Sequence, residues 1–389
     1  MMEYRAALKI LLDLGKTYRR KFSCNLEAGC GSVLAKNVSA IEDYPPFDRS
    51  AMDGFAISDL HSQAYEIIAE IRAGSPDQVK LEPGKCARIM TGARVPEACI
   101  KVVRQEYCEV SSGSMKILNK DSENIVERGE DFRMGDVLLE KGRVIRSAEI
   151  GLLSSIGMCN LEVYEKPRIA LFSTGEELVE PWEDLAPNQI RNVNNYLLQA
   201  GLSRSGFEVS NMGILRDEMD HVQDRLIEAF ENFDGILISG GASKGKFDFV
   251  RPVLHKLEFD FEFEGLKMRP GKPVSFSRKD SRWIFSLPGN PVAAFTAFLS
   301  LTLPFLKSIR GEESDPFEQV ALGMNTPNPN PGWTIFQPGT LKGEGFLYPV
   351  EFHGSGHIHS LVSADGLYCL ESNQDAYRRG DLVSFYKIP

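Results

Sequence analysis

The feature that most limits the fold is a regular alternation between residues 166 and 310. Short apolar runs are separated by stretches in which apolar residues recur at helical spacing. "RIALFST", "EVSNMGIL" and "DGILIS" have the length and composition of buried strands. Between them, residues 189–205 read as a helix. So does the stretch holding Met219, Val222, Leu226, Ile227 and Phe230 at the 3.6-residue period. "DFVRPVLHKL" continues the series as a helix, "PVSFS" and "RWIFSL" as strands, and "PVAAFTAFLSLTLPFLKSI" as a closing helix. Parallel strands need a long crossover, and a helix provides it. The pattern predicts a doubly wound α/β domain around a mainly parallel sheet.

The flanks are written differently. Residues 1–41 open with a helical stretch and a short connector. From 42 to 141, "YEIIAEIRAG", "CARIMTG", "IKVVRQEYCEV" and "SMKIL" alternate polar and apolar residues and are broken by Gly, Pro and Ser. That is the pattern of a small β-rich domain. "SAEIGLLSSIGM", within 142–165, reads as a helix. "TPNPNPGW" marks a boundary after Gly311, and 311–389 reads as a small β-barrel or sandwich.

A chain of 389 residues is long enough for several cores, and 42% hydrophobic with 25% charged residues is ordinary for a soluble globular protein. The net charge of −10 argues against a general nucleic-acid binder. No apolar run reaches the roughly 18 residues of a membrane span. "MMEYRAALKILLDLGKTYRR" has the spacing of an amphipathic helix and not of a secretion signal. Seven cysteines without a C-x-x-C pair read as reduced thiols of a cytoplasmic protein. "FHGSGHIHS" reads as a turn and strand start, with no cysteine or acidic residue placed to complete a zinc site.

In open α/β sheets ligands bind beyond the carboxyl ends of the strands. Those ends carry "STGEEL" (Ser173, Thr174, Gly175, Glu176, Glu177), "RDE" with Asp217, and "SGGASKGKFD". The last holds Ser239, Gly240, Gly241, Ser243, Lys244, Lys246 and Asp248. "RPGKP" (Arg269, Pro270, Gly271, Lys272) and "LPGNP" (Pro288, Gly289, Asn290) join them. Alone, "LPGNP" suits a helix entry with Asn290 as cap, "STGEEL" a turn and capping box, and Asp217 a turn. Together they line one rim. Small residues let backbone N–H groups approach an oxyanion, and helix N-termini and basic side chains add positive charge. Basic groups mixed with Glu176, Glu177, Asp217 and Asp248 suggest a phosphate ester held with a divalent cation, with Asp217 and Asp248 as candidate ligands. Gly240, Gly245 and Lys246 match all of G-x-x-x-x-G-K-[ST] except the hydroxyl, because Phe247 stands there. With no hydroxyl for magnesium and no acidic strand end in the Walker B role, nucleotide hydrolysis is disfavoured.

"PPFDRSAMDGFAI" (45–57), "RIMTGARVP" (88–96), "STGEEL", "SGGASKGKFDF", "RPGKP" and "SLPGNPVAA" (286–294) occur in that order. This set resembles the MoeA family of molybdopterin molybdenumtransferases, to which the gephyrin E-domain also belongs, along almost the whole chain. The resemblance implies an elongated, L-shaped protomer in a homodimer. It implies a discontinuous linking domain (1–41 and 142–165), a β-rich domain (42–141), a MogA-like α/β molybdopterin-binding domain (166–310) and a C-terminal β-barrel (311–389). It implies insertion of molybdenum from molybdate into adenylylated molybdopterin, with release of AMP and help from Mg2+. Partners so implied are a molybdopterin adenylyltransferase and molybdoenzyme apoproteins. The family's functional positions fall on Asp53, Thr91, Asp131, Glu177, Asp217 and Asp248. The glycine loop departs from the family pattern at Lys246, where an acid is common. "EACIKVV" departs at Ile100, where the family usually has Asp. These departures keep open a binding or scaffolding protein of the same fold with reduced turnover. A molybdopterin adenylyltransferase is disfavoured, because such enzymes need only the α/β domain.

Overall fold

Gly235–Ser239 is buried at every position and sits at the centre of a six-stranded sheet. The computed structural model describes residues 1–76, 79–241, 249–313 and 315–389. The chain packs as two units: Met1–Ser23 with Gly31–Ala35 and Glu162–Pro389, and Cys24–Cys30 with Lys36–Leu161.

In the first unit the sheet runs Val209–Leu215, Ile169–Thr174, Gly235–Ser239, Arg282–Leu287, Ser275–Lys279, Asp260–Glu264. The first four strands are parallel, and the last two are added by antiparallel pairings. This is the expected doubly wound arrangement. The strand Asp260–Glu264 was not expected; "DFEFE" alternates acids with Phe261 and Phe263, as suits an edge. The helix expected over 189–205 begins only at Asn194. The residues before it are extended because Ile190–Arg191 pairs with Leu178–Val179. The Ile190 N–H donates to the Glu177 carbonyl at 2.8 Å and the Asn192 N–H to the Val179 carbonyl at 2.7 Å.

The closing helix runs Pro291–Ile309, with a π-turn at Phe298–Thr302 ahead of Pro304. Pro304 has no N–H to offer the Ser300 carbonyl. Tyr4 fills that place with its hydroxyl at 3.1 Å, from a helix (Tyr4–Thr17) whose apolar face packs there. Although it lacks an uncharged run of membrane length, this helix is long and apolar enough to cross one, with mean hydropathy 1.6. It is 94% buried inside the chain, which marks a core helix.

The C-terminal part forms a second six-stranded sheet. Met268–Arg269 leads it, parallel to the start of Thr334–Lys342, and the remaining pairings are antiparallel. The expected strand start in "FHGSGHIHS" is instead a loop followed by a short helix, His359–Val362. Gly354 at φ +122° and the His357 N–H bound to the Gly354 carbonyl turn the chain there.

The other unit holds a six-stranded sheet: Lys101–Arg104, Gly54–Ile57, Lys85–Ile89, Tyr65–Ile71, Ser114–Ile117, Cys108–Ser111. Strand alternation sends Ala56, Ile89 and Val102 to one core and Phe55, Ile57 and Val103 to another. Its helix Ser147–Ser155 starts on the buried Glu149, which accepts the Arg146 N–H at 2.9 Å and an Arg143 N–H at 2.7 Å.

Candidate functional site

The parallel strands align Ser173 with Ser239 and Ser239 with Leu287, so three chain exits leave the sheet side by side. A cavity of about 670 Å³ lies beyond them. Thr174, Glu177 and Ser239 line it from the strand ends. Arg269, Pro270, Gly271 and Lys272 line it from one turn, and Pro288, Gly289 and Asn290 from another.

Beneath it lies a buried polar cluster. The Ser173 hydroxyl is 2.9 Å from Asn192 Oδ1, 2.7 Å from Asn195 Oδ1 and 3.1 Å from the Ser239 hydroxyl. Asn195 Nδ2 donates onward to Asn211 Oδ1 at 2.8 Å. All of Ser173, Asn192, Asn195 and Ser239 are buried. Satisfied buried polar groups hold a unique geometry, because each would be costly to leave unpaired. The cluster pins the start of the helix Asn194–Arg204 to the ends of two strands.

Above it, Thr174 Oγ1 donates to Asp217 Oδ1 at 2.7 Å, which joins the first two strand ends. The Gly175 backbone has φ +146°, and a Cβ there would lie 2.7 Å from Glu177 Oε2. The glycine therefore lets the Glu177 carboxylate fold back along the turn. Gly240 has φ +87°, and its N–H donates to the Leu287 carbonyl at 3.0 Å. Gly241 ends the described part of the glycine loop. Ser243, Lys244, Lys246 and Asp248 lie outside the described residues.

Asn290 is the N-cap residue of the closing helix, but its side chain makes no capping bond. Its Nδ2 donates instead to Ser355 Oγ at 2.8 Å, and the Val292 N–H donates to the Ser355 carbonyl at 3.0 Å. Ser355 thereby becomes part of the cavity wall. Arg191 and Asn194 also line it without having been anticipated. Asn194 Nδ2 donates to the Gly289 carbonyl at 2.7 Å, while its buried Oδ1 has no partner. Three asparagines in "RNVNN" at a strand exit were the available signal. "GSG" around Ser355 was another, because such a stretch lets backbone approach closely.

Arg269 and Lys272, like Arg191, form no ion pair with any described carboxylate, and Glu177 puts a carboxylate on the same wall. No group of three or more His, Cys, Asp or Glu placed for a metal occurs among the described residues.

Asp53, Thr91 and Asp131 belong to the other unit. Asp53 Oδ1 accepts the Thr91 N–H and the Thr91 hydroxyl, both at 2.7 Å. The backbone bond first, and then the hydroxyl, hold the Asp53 carboxyl below the usual carboxylate range. A depressed carboxylate stays charged at neutral pH, and its hydrogen bonds weaken only as pH falls through its folded pKa. Thr91→Val should move the Asp53 titration upward while the backbone bond keeps it below the free value. Carboxyl chemical shifts against pH measure this, and an unmoved titration would remove the hydroxyl from the account. Asp131 is exposed; its N–H donates to the Tyr44 carbonyl at 3.1 Å. Ile100 is exposed immediately before the strand Lys101–Arg104.

A cavity at parallel strand ends, with basic side chains and hydroxyls set on a buried network, defines a doubly wound α/β protein whose ligand site lies at the strand exits of its sheet. Three family models match in chain order. They are the MoeA N-terminal region (domain I and II) over residues 2–157, a probable molybdopterin binding domain over 170–308, and the MoeA C-terminal region (domain IV) over 326–388. A molybdopterin molybdenumtransferase of Haemophilus influenzae is 30% identical over 372 residues, covering 92% of each chain. One of Bacillus subtilis is 30% identical over 381 residues, covering 93% of this chain and 89% of that one. A crystal structure of the molybdopterin biosynthesis MoeA protein from Pyrococcus horikosii matches with TM-score 0.82 at 26% identity, covering 100% of this chain and 99% of that one. The chain belongs to the MoeA family of molybdopterin molybdenumtransferases.

Proposed function

We propose that this chain inserts molybdenum into molybdopterin presented as the adenylylated form, releasing AMP and leaving the metal on the pterin dithiolene. The observation that carries the reading is the pair of cations Arg269 and Lys272, bound to no described carboxylate, on the same cavity as Thr174, Ser239 and the entry of the closing helix. A phosphorylated pterin needs such groups for its phosphate oxygens. A planar guanidinium grips two of them at once, and an ammonium serves as a compact charge. Molybdate, a dianion, suits the same cations and the positive end of the helix at Pro291. Charge that builds on oxygen as the link to AMP breaks is stabilised by groups already fixed in place. The buried Ser173–Asn192–Asn195–Ser239 cluster supplies that rigidity.

Magnesium enters this reading with the phosphates. It takes one or two carboxylates plus substrate oxygens and keeps several waters, so an all-protein cage is not required. Asp217 is the described carboxylate that would hold it, and bound there it would supply a Lewis acid beside the phosphates. The working form is a homodimer, to which the Asp53, Thr91 and Asp131 unit contributes. A molybdopterin adenylyltransferase supplies the substrate, and molybdoenzyme apoproteins receive the product. Seven unpaired cysteines agree with a cytoplasmic setting.

The test is direct. Purified chain incubated with adenylylated molybdopterin, magnesium and molybdate should release AMP and metallate the pterin, and it should sediment as a dimer. Tight binding of the adenylylated pterin without AMP release would overturn insertion and favour a binding role.

A further inference from the structure

Two of the cavity cations, Arg269 and Lys272, lie over a ring and pair with no described acid. Arg269 Cζ sits 4.5 Å from the centroid of the Trp333 indole, and Lys272 Nζ sits 5.8 Å from the same centroid. Arg143 and Arg146, by contrast, are clamped by the Glu149 carboxylate, and Arg310 by Glu312 as well as the Phe207 ring. A carboxylate clamp fixes a cation but cancels its charge. An aromatic face attracts the cation through its quadrupole and adds no countercharge.

The platform is itself fixed. The backbone N–H of Trp333 donates to the Asn330 carbonyl at 3.1 Å, and that of Gly332 to the Ser372 carbonyl at 2.9 Å. Its indole packs against the core of the C-terminal sheet. The next residue sets the register with the cationic turn. The Thr334 N–H donates to the Lys267 carbonyl at 3.1 Å, and Met268–Arg269 runs parallel to Thr334–Ile335.

We infer that Trp333 is a positioning residue for oxyanion binding: it orders Arg269 and Lys272 at the cavity while leaving both charges available to a phosphate or similar group. The inference rests on the proposed reading only in taking this cavity as the binding site. Trp333 touches no reacting atom in this account; it acts through the two cations.

Inorganic pyrophosphate is the probe, with its binding to the full chain followed by titration calorimetry. Trp333→Leu should weaken it roughly fivefold to tenfold, the scale of a partly desolvated cation–π contact. Trp333→Phe, which keeps a ring, should recover most of the loss. In an Arg269→Gln/Lys272→Gln background, Trp333→Leu should have no further effect, because the groups it acts through are gone. Thermal melts accompany each variant. If Trp333→Leu fails to fold, the smaller loss in Trp333→Phe and its disappearance in the double background carry the same test.

Unchanged pyrophosphate affinity in folded Trp333→Leu overturns the inference. So does an equal loss in the background without the cations, which would make Trp333 a packing residue only. A parent protein that binds no pyrophosphate overturns it as well. Pyrophosphate binding that follows the expected series, in a chain that never releases AMP from adenylylated molybdopterin, leaves the inference standing and sinks the proposed function.

Discussion

Gly240→Ala is expected to abolish turnover and to cost about 2–4 kcal/mol of stability, from left-handed strain and a close contact together. The residue has φ +87°, and a Cβ added there would lie 2.5 Å from the Thr174 carbonyl oxygen. That oxygen belongs to the end of the neighbouring strand, so it cannot swing aside as a flexible side chain would. Either the glycine turn or the Thr174 end of the strand must move. Movement of Thr174 breaks its hydrogen bond to Asp217 and shifts the cavity wall. Gly31→Ala is the comparison: φ is +78° and nothing lies within 4 Å of its Cβ, so only the backbone term remains. Urea denaturation and AMP release measure the two losses. Full activity in Gly240→Ala would show that the contact between these two strand exits does not matter to the site.

Asp217→Ala should lower turnover by roughly 100-fold or more, the scale of losing one positioned electrostatic group at a reacting centre. Stability should hardly change. Asp217 is half-exposed, and its described side-chain bond is the one to Thr174, worth about 0.5–1.5 kcal/mol. Asp217→Asn separates two roles. The amide keeps an acceptor for the Thr174 hydroxyl and removes the charge. If Asp217 only orients Thr174, the asparagine variant works. If its charge matters, to a cation or to the electrostatic balance of the cavity, the asparagine variant is as slow as the alanine one. The proposed function expects the second result. A fast Asp217→Asn enzyme would end the case for Asp217 as a cation ligand.

Much of this site was legible before any coordinates, for a physical reason. Ligand groups in an open α/β sheet collect where parallel strands end, and strand ends are local features of the chain. The apolar run Gly235–Ser239 and the glycines after it are adjacent in sequence, as are Ile169–Thr174 and Gly175. A reading that locates the runs therefore locates the exits. The same local logic failed where backbone pairing overrode it. The helix expected from 189 starts at Asn194, because Ile190–Arg191 is drawn into pairing with Leu178–Val179. The edge strand Asp260–Glu264 passed unnoticed because its half-polar alternation becomes a strand only beside Ser275–Lys279.

What the sequence by itself determined was the order of strands and helices, the residue types at each strand exit and the family. Periodicity and small-residue clusters are carried by neighbours in the chain. What only the tertiary structure decided were the contacts between distant segments: Ser355 reaching Asn290 across 65 positions, Asn194 reaching the Gly289 carbonyl across 95, and Trp333 lying under Arg269 and Lys272. Those partners carry no local mark. A tryptophan after "NPNPG" reads as any boundary residue until the parallel register of Met268–Arg269 with Thr334–Ile335 brings its ring beneath two cations.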